Sequence, residues 1–464
     1  MNKNPNPNMD MDMDMDMDTA GHPPASARRR RLPLMGAVVA LCLAALAPAA
    51  RADAPTVTPD PARELARSAR PLVDLRPLDR MIGSAKVVGI GEATHSSGEF
   101  FETKHRIFEH LVEKQGFTTF ALEANWSTGL LLDDYVRFGK GDPARILDDE
   151  FQNAYRFWNT EEYLDLVVWM RQHNLRHPDH PVRFMGNDLG YAGANLFDRV
   201  TGYVARTYPR LLPRFQELYR ASRPVGEVDA WMNAYLVRPA EERRRMAADV
   251  NRALALLERQ KPGRDREEHA WTVQHARAIA QVGTEYAYDM TGTGIADAML
   301  YRDRIMAENT VWWQRATGDR MVLSAHNGHV GYETLKPDQY PRLQGAFLRD
   351  ALGRDYVSMG ASFGKGSFNA HDTEAPGEPI RSFTVGLPGA GDSGAEVLDR
   401  VSSRPYYLDL RTTTPAARSW LNVHRPAWLV GTAYPWPGSQ APVRLATSYD
   451  LLVHFPEVAA ARLR

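Results

Sequence analysis

The hydrophobic positions of this chain alternate between short continuous runs and longer stretches with a period near 3.6 residues. A β-branched, glycine-bounded run at 85–93 predicts a buried strand. The next segment places apolar residues at i, i+3/4 and i+7 until Gly116, which predicts an amphipathic helix. A second apolar run at 117–124 predicts another strand. Strand, helix and strand joined by short turns form a parallel, right-handed βαβ unit.

The same alternation continues towards the C-terminus. Helical periodicity covers 126–139 and 161–177, and 181–188 is the next predicted strand. Later apolar runs predict strands at 319–326, 355–364, 404–411, 427–434 and 449–455. The predicted fold class is therefore α/β, with a mostly parallel sheet flanked by helices.

One long segment, at about 195–317, shows helical periodicity throughout and interrupts the series of strands. It predicts an all-helical block inserted between two strands of the sheet. Such a block is expected to cap a crevice and shape its pocket. The alternative is that these helices only add bulk to the core.

The N-terminal region has the features of a targeting segment. Residues 28–52 begin with a run of four arginines, followed by an apolar stretch and the small-x-small sequence that ends at Ala52, which predicts a signal peptide. A retained N-terminal anchor is the alternative, and both the Sec and the twin-arginine export routes remain open. Residues 1–27 are low-complexity and either disordered or a start assigned too far upstream. We therefore expect residues 53–464 to be the mature, periplasmic or secreted domain, without a stable membrane span.

Charge and cysteine content exclude several classes of function. The 56 basic and 57 acidic residues give a net charge of −1, which argues against nucleic acid as a partner. The single cysteine, Cys42, lies in the predicted signal peptide. The mature chain is thus expected to lack disulfides, thiolate ligands and a cysteine nucleophile.

Acidic and imidazole side chains follow four of the predicted strands. They are Glu92 and His95 in GIGEATH, Glu123 in FALEANW, Asp188 in FMGNDLG, and His326 with His329 in LSAHNGHV. Ligands and catalysis lie at the carboxyl ends of the strands in an open parallel α/β sheet. We therefore expect these groups to converge on one crevice and the chain to be an enzyme.

These residue types support more than one chemistry. A carboxylate three residues from His95 can fix the imidazole tautomer and raise its basicity, so that it takes a proton from water. His326 and His329 could bind a metal, polarise a carbonyl or orient water. Glu123 has a structural ion pair as its alternative role, and Asp188 a local turn. If a divalent metal is bound, its ligands are expected to come from Glu92, His95, Glu123, His326 and His329.

Two serine motifs lack the context that a nucleophile requires. Ser362 stands in a G-x-S-x-G sequence, but the segment after it is not helical, as a nucleophile elbow would demand. Ser393, in GDSG, lies in a Gly/Pro-rich stretch. Neither serine is predicted to be catalytic.

Five segments together resemble the erythromycin esterase family: GEATHSSGEFFETKHRIFEHLVEKQGF, ALEANW, VRFMGNDLG, YRDRIMAEN and SAHNGHV. The resemblance implies an α/β core with a helical cap and a central cleft. It also implies a carboxylic ester hydrolase that opens the macrolactone of erythromycin-type macrolides and so inactivates the antibiotic. The expected partners are then a small ester or lactone and water, with no cofactor needed.

The resemblance also assigns roles to individual residues. His95 would be the general base that activates water for direct attack, without an acyl-enzyme. Glu92 and Glu123 would orient the water, and His326 with His329 would complete the catalytic cluster. The expected substrate-binding residues are Lys104, Asp188, Tyr301 and Arg302, with Asp303 beside them. Lys104 stands where family members carry arginine, so it keeps the charge but lacks the bidentate fork.

Three functions remain open at this point. The first is a metal-independent esterase, the second a metal-dependent hydrolase of another ester or lactone using the same cluster, and the third a non-enzymatic periplasmic binding protein. Tryptophans of the helical segments would either line the substrate pocket or pack in the core; they are Trp158, Trp231, Trp271, Trp312 and Trp313.

Overall fold

The computed structural model describes residues 59–292, 294–389 and 393–464. The predictions for residues 1–27 and for the signal peptide at 28–52 lie outside these ranges. Within them, no helix combines the length and the apolar character that crossing a membrane requires.

Twelve strands run through the described residues. In chain order they are β1 Arg70–Pro71, β2 Val87–Ile90, β3 Phe117–Asn125, β4 Arg183–Asp188, β5 Arg320–Ser324, β6 Tyr356–Asp372, β7 Ile380–Val385, β8 Tyr406–Asp409, β9 Arg425–Trp428, β10 Ala433–Tyr434, β11 Gln440–Val443 and β12 Leu451–Val458.

The α-helices of the described residues include short and long ones. In chain order they are α1 Pro61–Ala66, α2 Arg76–Ile82, α3 Gly98–Gln115, α4 Trp126–Phe138, α5 Pro143–Glu150, α6 Glu161–Arg176, α7 Ala194–Thr207, α8 Leu212–Tyr219, α9 Val228–Leu236, α10 Ala240–Glu258, α11 Arg266–Glu285, α12 Gly294–Thr317, α13 Asn327–Val330, α14 Gln344–Leu352, α15 Gly394–Val401, α16 Pro415–Leu421 and α17 Leu445–Ser448. Short 3₁₀ turns include Asn153–Trp158, between α5 and α6.

The central sheet has the order β1-β8-β12-β6-β2-β5-β3-β4, and β7 and β10 also pair with β6. The strands from β12 to β4 in this order are all parallel, whereas β8 and β1 extend the β12 edge in antiparallel fashion. This confirms the predicted α/β fold with a mostly parallel sheet. Each of the four residues of β2 is buried, as expected of a central parallel strand covered on both faces.

The register of the sheet explains why the polar groups meet. Ile90 of β2 and Leu122 of β3 both pair with Ser324 of β5, so the pairing of both strands with β5 ends at the same level. Glu92, Glu123 and His326 follow those positions by one or two residues. Their side chains therefore emerge at one edge of the sheet because all three strands run in the same direction.

Two large apolar clusters cover the sheet. One includes residues of α3 and α6, such as Phe108 and Met170, and the other includes residues of α7 and α11, such as Val200 and Ile279. Between β4 and β5 the described residues form helices and turns, α7 to α12, as the periodicity at 195–317 predicts.

The predicted strand at 427–434 is wrong as a single element. Its first part belongs to β9, which pairs with β11 outside the central sheet, and its last part is β10. Between them, Val430 N–H donates to Ala93 O at 2.9 Å, so the chain crosses the loop that follows β2. The apolar character of this segment thus comes from covering another loop rather than from a continuous strand.

Candidate functional site

A cleft opens at the carboxyl ends of β2, β3 and β5, with a volume of about 1030 Å³ that includes the space open to solvent. Polar groups at its base come from different parts of the chain, and more apolar residues lie around them. The lining includes His95, Glu123, Tyr155, Trp158, Met232, Arg302, His326, His329, Lys336, Tyr340, Leu429 and Thr432. Since Met232 and Arg302 belong to α9 and α12, the inserted helices contribute to this wall.

Glu92 lies behind the cleft and contacts two cationic or basic groups. Its Oε1 is 2.8 Å from His95 Nδ1, and its Oε2 accepts a hydrogen bond from Lys104 Nζ. The side chains of Glu92 and Lys104 are 0% and 1% exposed. Burial lowers the pKa of Lys104, and the charge of Glu92 opposes that effect. Lys104 is therefore the buried partner of Glu92 and does not line the cleft, which corrects its predicted contact with substrate.

The loop that carries Glu92 is held close to the neighbouring strand by Asn327. A Cβ atom on Gly91 would lie 2.2 Å from Asn327 Oδ1, so only glycine fits there. Asn327 N–H donates to Glu92 O at 2.9 Å, and its side chain bonds both the N–H and the C=O of Ala361. These contacts fix the backbone from which Glu92 and His95 project.

His95 presents its second ring nitrogen to the cleft. With Nδ1–H donated to the Glu92 carboxylate, Nε2 carries the lone pair. The ring lies between two others, with centroid distances of 4.9 Å to Trp158 and 4.8 Å to His326. The imidazole is thus oriented from below by a carboxylate and from the sides by aromatic packing, which is the arrangement of a general base.

Glu123 is a buried carboxylate held by several donors. Its Oε1 accepts from Arg302 Nη2 and lies 3.2 Å from His329 Nε2, while its Oε2 accepts from His326 N–H at 2.8 Å. Burial alone would raise the pKa of Glu123, but the neighbouring His329 and Arg302 outweigh burial and hold the pKa well below its usual range. Glu123 is therefore ionised at neutral pH.

Arg302 joins Glu123 to Asp188. Its guanidinium donates to both Asp188 oxygens, from Nε at 3.0 Å and from Nη2 at 2.6 Å. Tyr155 O–H donates to the same carboxylate at 2.8 Å. Asp188 is thus an anchor for Arg302, buried behind the cleft, rather than a group that reaches substrate.

The two histidines of AHNGH differ in charge. Burial would lower the pKa of His329, but Asp303 and Glu123, which flank its ring nitrogens, raise the pKa to about 10. His329 is therefore a cation that donates from Nδ1 to Asp303 and forms an ion pair with Glu123 through Nε2, which also lies 3.2 Å from Arg302 Nη1. In contrast, burial and the adjacent His95 hold the pKa of His326 well below its usual range.

The tautomer of His326 follows from the hydrogen bond that its ring accepts. Nδ1 accepts a hydrogen bond from Gly328 N–H at 3.2 Å, which leaves the proton on Nε2. Nε2 is buried and has no hydrogen-bond partner among the described residues. A donor in this state can bind a carbonyl oxygen and stabilise negative charge that develops on it.

The structure brings most of the predicted site residues together. His95, Glu123, Arg302, His326 and His329 line one cleft, and Glu92 stands directly behind His95. Tyr301 is not part of this lining; its ring packs against Tyr288, at a centroid distance of 5.5 Å, because it projects from a different side of α12 than Arg302.

Sequence reasoning missed the contribution of the 3₁₀ segment Asn153–Trp158. Tyr155 and Trp158 line the cleft and contact Asp188 and His95, although neither follows a strand. The sequence named Trp158 only as one of five unranked tryptophans and did not indicate Tyr155 at all. Trp271, Trp312 and Trp313 pack against one another in the core, as the core interpretation expected.

The described residues contain no group of three or more His, Cys, Asp or Glu side chains arranged to hold a metal ion. Glu92, Glu123 and His329 instead contact one another or neighbouring charged groups. Glu92 is paired with Lys104, Glu123 with Arg302, and His329 with Asp303.

Comparison with known proteins agrees with this fold. Erythromycin esterase type II of Escherichia coli is 24% identical over 320 residues, which are 64% of this chain and 73% of that protein. A Bacillus cereus protein of known crystal structure is 31% identical, with a TM-score of 0.78 over 88% of this chain and 100% of that one. A variant of the erythromycin esterase EreC in its open conformation shares the fold, with a TM-score of 0.64, 16% identity, and coverage of 85% and 98%. The family model for erythromycin esterase matches residues 112–458, most of the chain, and this protein therefore belongs to the erythromycin esterase family.

Proposed function

We propose that this protein opens a lactone ring by direct attack of water, with the macrolactone of erythromycin-type macrolides as its substrate. Membership of the family supports a hydrolase that acts on a small molecule. The observation that carries the mechanism is the bond between His95 Nδ1 and the buried Glu92, which leaves Nε2 as a base in the cleft.

In the proposed reaction His95 Nε2 takes a proton from a water molecule as the water oxygen attacks the ester carbonyl. The positive charge that forms on the imidazole is stabilised by Glu92, whose own charge is balanced by Lys104. His326 Nε2–H donates to the carbonyl oxygen as it becomes negative. The tetrahedral intermediate then collapses, and the leaving alkoxide takes the proton back from His95 to give a carboxylic acid and an alcohol.

Glu123 and its neighbours hold this geometry. The carboxylate fixes the backbone of His326 through the 2.8 Å bond from its N–H, and Arg302 with His329 keeps the carboxylate ionised. A free Glu123 lone pair can also accept the second hydrogen of the attacking water. The apolar residues on the walls of the cleft, such as Trp158 and Leu429, suit a large ring with few charges.

The first test is mass spectrometry of erythromycin after incubation with the purified protein. Ring opening adds one water to the substrate. His95→Asn keeps a donor to Glu92 but removes the base, so turnover should fall by about 10²–10⁴-fold. His110→Asn is a matched control, since His110 Nε2 also lies 2.8 Å from a carboxylate, that of Asp79, outside the cleft.

The outcomes separate the three candidate functions. Activity that survives a chelator supports the metal-independent route, whereas activity lost to the chelator and restored by one divalent metal would replace it. Binding of erythromycin without any product would favour a binding protein. Hydrolysis of other lactones but not of erythromycin would leave the role of His95 in place and change the substrate.

We also propose that the protein acts outside the cytoplasm, on the basis of the signal-like sequence at 28–52. The expected mature N-terminus is Asp53. Fractionation of cells that express the full chain, followed by N-terminal sequencing, would test this. Recovery of the uncleaved chain from the cytoplasm would contradict it.

A further inference from the structure

A second group of reactive side chains lies away from the cleft, on β6, β12 and α15. Ser362 Oγ is 2.9 Å from His454 Nδ1, and His454 Nε2 is 2.8 Å from Asp399 Oδ1. None of the three residues lines the first cleft. A serine, a histidine and a carboxylate in this order are the elements of an activated nucleophile.

The sheet register and a glycine bring these residues together. Ser362 and His454 are paired residues of the parallel strands β6 and β12, so their side chains lie on the same face of the sheet. Helix α15 packs on that face and supplies Asp399. A Cβ atom on Gly364 would lie 2.4 Å from Asp399 Oδ2, so the last glycine of the G-x-S-x-G sequence makes room for the carboxylate.

The histidine is in the form that can act as a base. His454 is 0% exposed, and burial lowers its pKa although Asp399 opposes that effect. A neutral imidazole that donates Nε2–H to Asp399 has its lone pair on Nδ1. Ser362 O–H can then donate to Nδ1, which is the contact needed for removal of the serine proton.

Ser362 faces a second, smaller pocket of about 430 Å³, again counted with the space open to solvent. Its described lining is largely apolar and includes Leu398, Leu421, Trp428 and Val443. The charged residue among the described lining is Arg425, whose guanidinium stacks on Trp420 at 4.6 Å. The pocket therefore suits a short hydrocarbon chain attached to a polar carbonyl group.

Ser362 is not predicted to be catalytic from the sequence, because no helix is predicted after it. The structure gives the reason for that pattern: Ser362 lies inside a long strand, β6, and its base comes from the neighbouring strand instead of from a loop. The base and the carboxylate are 92 and 37 positions away in the chain, so no local motif could reveal them.

We propose that Ser362 is the nucleophile of a second esterase site, specific for short, apolar acyl esters. Ser362 Oγ bonds to the acyl carbon while its proton moves to His454 Nδ1, and the alcohol leaves with that proton. A water molecule then gives a proton to His454 and its oxygen to the acyl carbon. The carboxylic acid leaves, and Ser362 Oγ regains its proton. The net reaction is ester plus water to acid plus alcohol.

The test is labelling of the folded protein with an alkyl fluorophosphonate, which phosphonylates activated serines. We expect one added group per chain, and peptide mapping of the wild-type protein should place it on Ser362. Ser362→Ala should abolish labelling, and Asp399→Asn should slow it by about 10²-fold or more, because the base is no longer oriented. Ser419→Ala is the matched control, since Ser419 is an exposed serine whose hydroxyl bonds only the backbone of Pro415.

A second readout is hydrolysis of p-nitrophenyl butyrate. This proposal does not rest on the lactone-opening function, so the two can fail separately. His95→Asn should retain Ser362 labelling and a first-turnover burst of p-nitrophenolate, and Ser362→Ala should lose the burst while it retains ring opening. Absence of labelling in the folded wild-type protein, or labelling at another residue, would overturn the proposal.

Discussion

Replacing Glu285 by glutamine should make this protein more stable at alkaline pH and leave its stability unchanged at acidic pH. Glu285 ends α11, is 0% exposed, and neither carboxyl oxygen has a hydrogen-bond partner among the described residues. Burial, together with the nearby Asp188, raises the pKa of Glu285 from 4.5 to about 8. The folded protein therefore holds a proton on Glu285 at neutral pH that the unfolded chain releases.

The sign and size of the effect follow from this difference. Below pH 4.5 the Glu285 carboxyl is protonated in both states, and its contribution to stability is fully present. As the pH rises towards about 8, the unfolded chain has already lost the proton, so the free energy of unfolding decreases. The gap between the two pKa values, about 3.5, corresponds to a ceiling of about 5 kcal/mol at 1.36 kcal/mol per pKa unit. Glutamine resembles the protonated acid in shape and removes this dependence.

The assay is urea unfolding at several pH values between 5 and 9. The difference in unfolding free energy between Glu285→Gln and the wild-type protein should be below about 1 kcal/mol at pH 5 and reach several kcal/mol at pH 9. Glu267→Gln, an exposed position on the same helix, should show no such trend. Parallel pH profiles for the Glu285 variant and the wild-type protein would refute the argument, because they would mean that Glu285 is ionised in the folded state.

Three further changes test the site itself. Lys104→Met leaves the buried Glu92 carboxylate without its cation and should lower the unfolding free energy by about 3–5 kcal/mol in urea titrations; a loss below about 1 kcal/mol would contradict the buried pair. Arg302→Lys keeps the charge but loses the bidentate contact with Asp188, so turnover of the lactone substrate should fall on the order of 10²-fold with an unchanged circular dichroism spectrum. Trp158→Ala removes the ring packed 4.9 Å from the base and should lower kcat/KM by up to about 10-fold, whereas an unchanged value would exclude a positioning role.

The position of several predicted site residues at one edge of the sheet followed from a local signal. Glu92, Glu123 and His326 each follow a short apolar run, and a buried run of that kind is a strand of a parallel sheet in almost any tertiary context. Parallel strands end at a common edge, so the position of a residue just after a strand was enough to place it in the cleft.

The incorrect predictions concerned the direction in which the Lys104 side chain points and the path of the backbone at 427–434. Lys104 is on the predicted helix α3, but only the packing of α3 against the sheet turns its ammonium group towards Glu92 instead of the cleft. The segment at 427–434 is apolar like a strand, yet its backbone crosses the loop after β2. Composition and periodicity indicate that a segment is buried, but they do not indicate which other segment packs against it.

By itself, the sequence determined the fold class, the helical insertion after β4, and the edge of the sheet where Glu92, His95, Glu123, His326 and His329 gather. Only the tertiary structure decided which of these groups are charged, that Trp158 packs on His95, and that Ser362 meets His454 and Asp399. The physical reason is the range of the interactions. Strands and helices follow from the order of apolar and polar residues over a few turns of chain, whereas a pKa or a hydrogen bond depends on groups that are far apart in sequence and are brought within about 3 Å by folding.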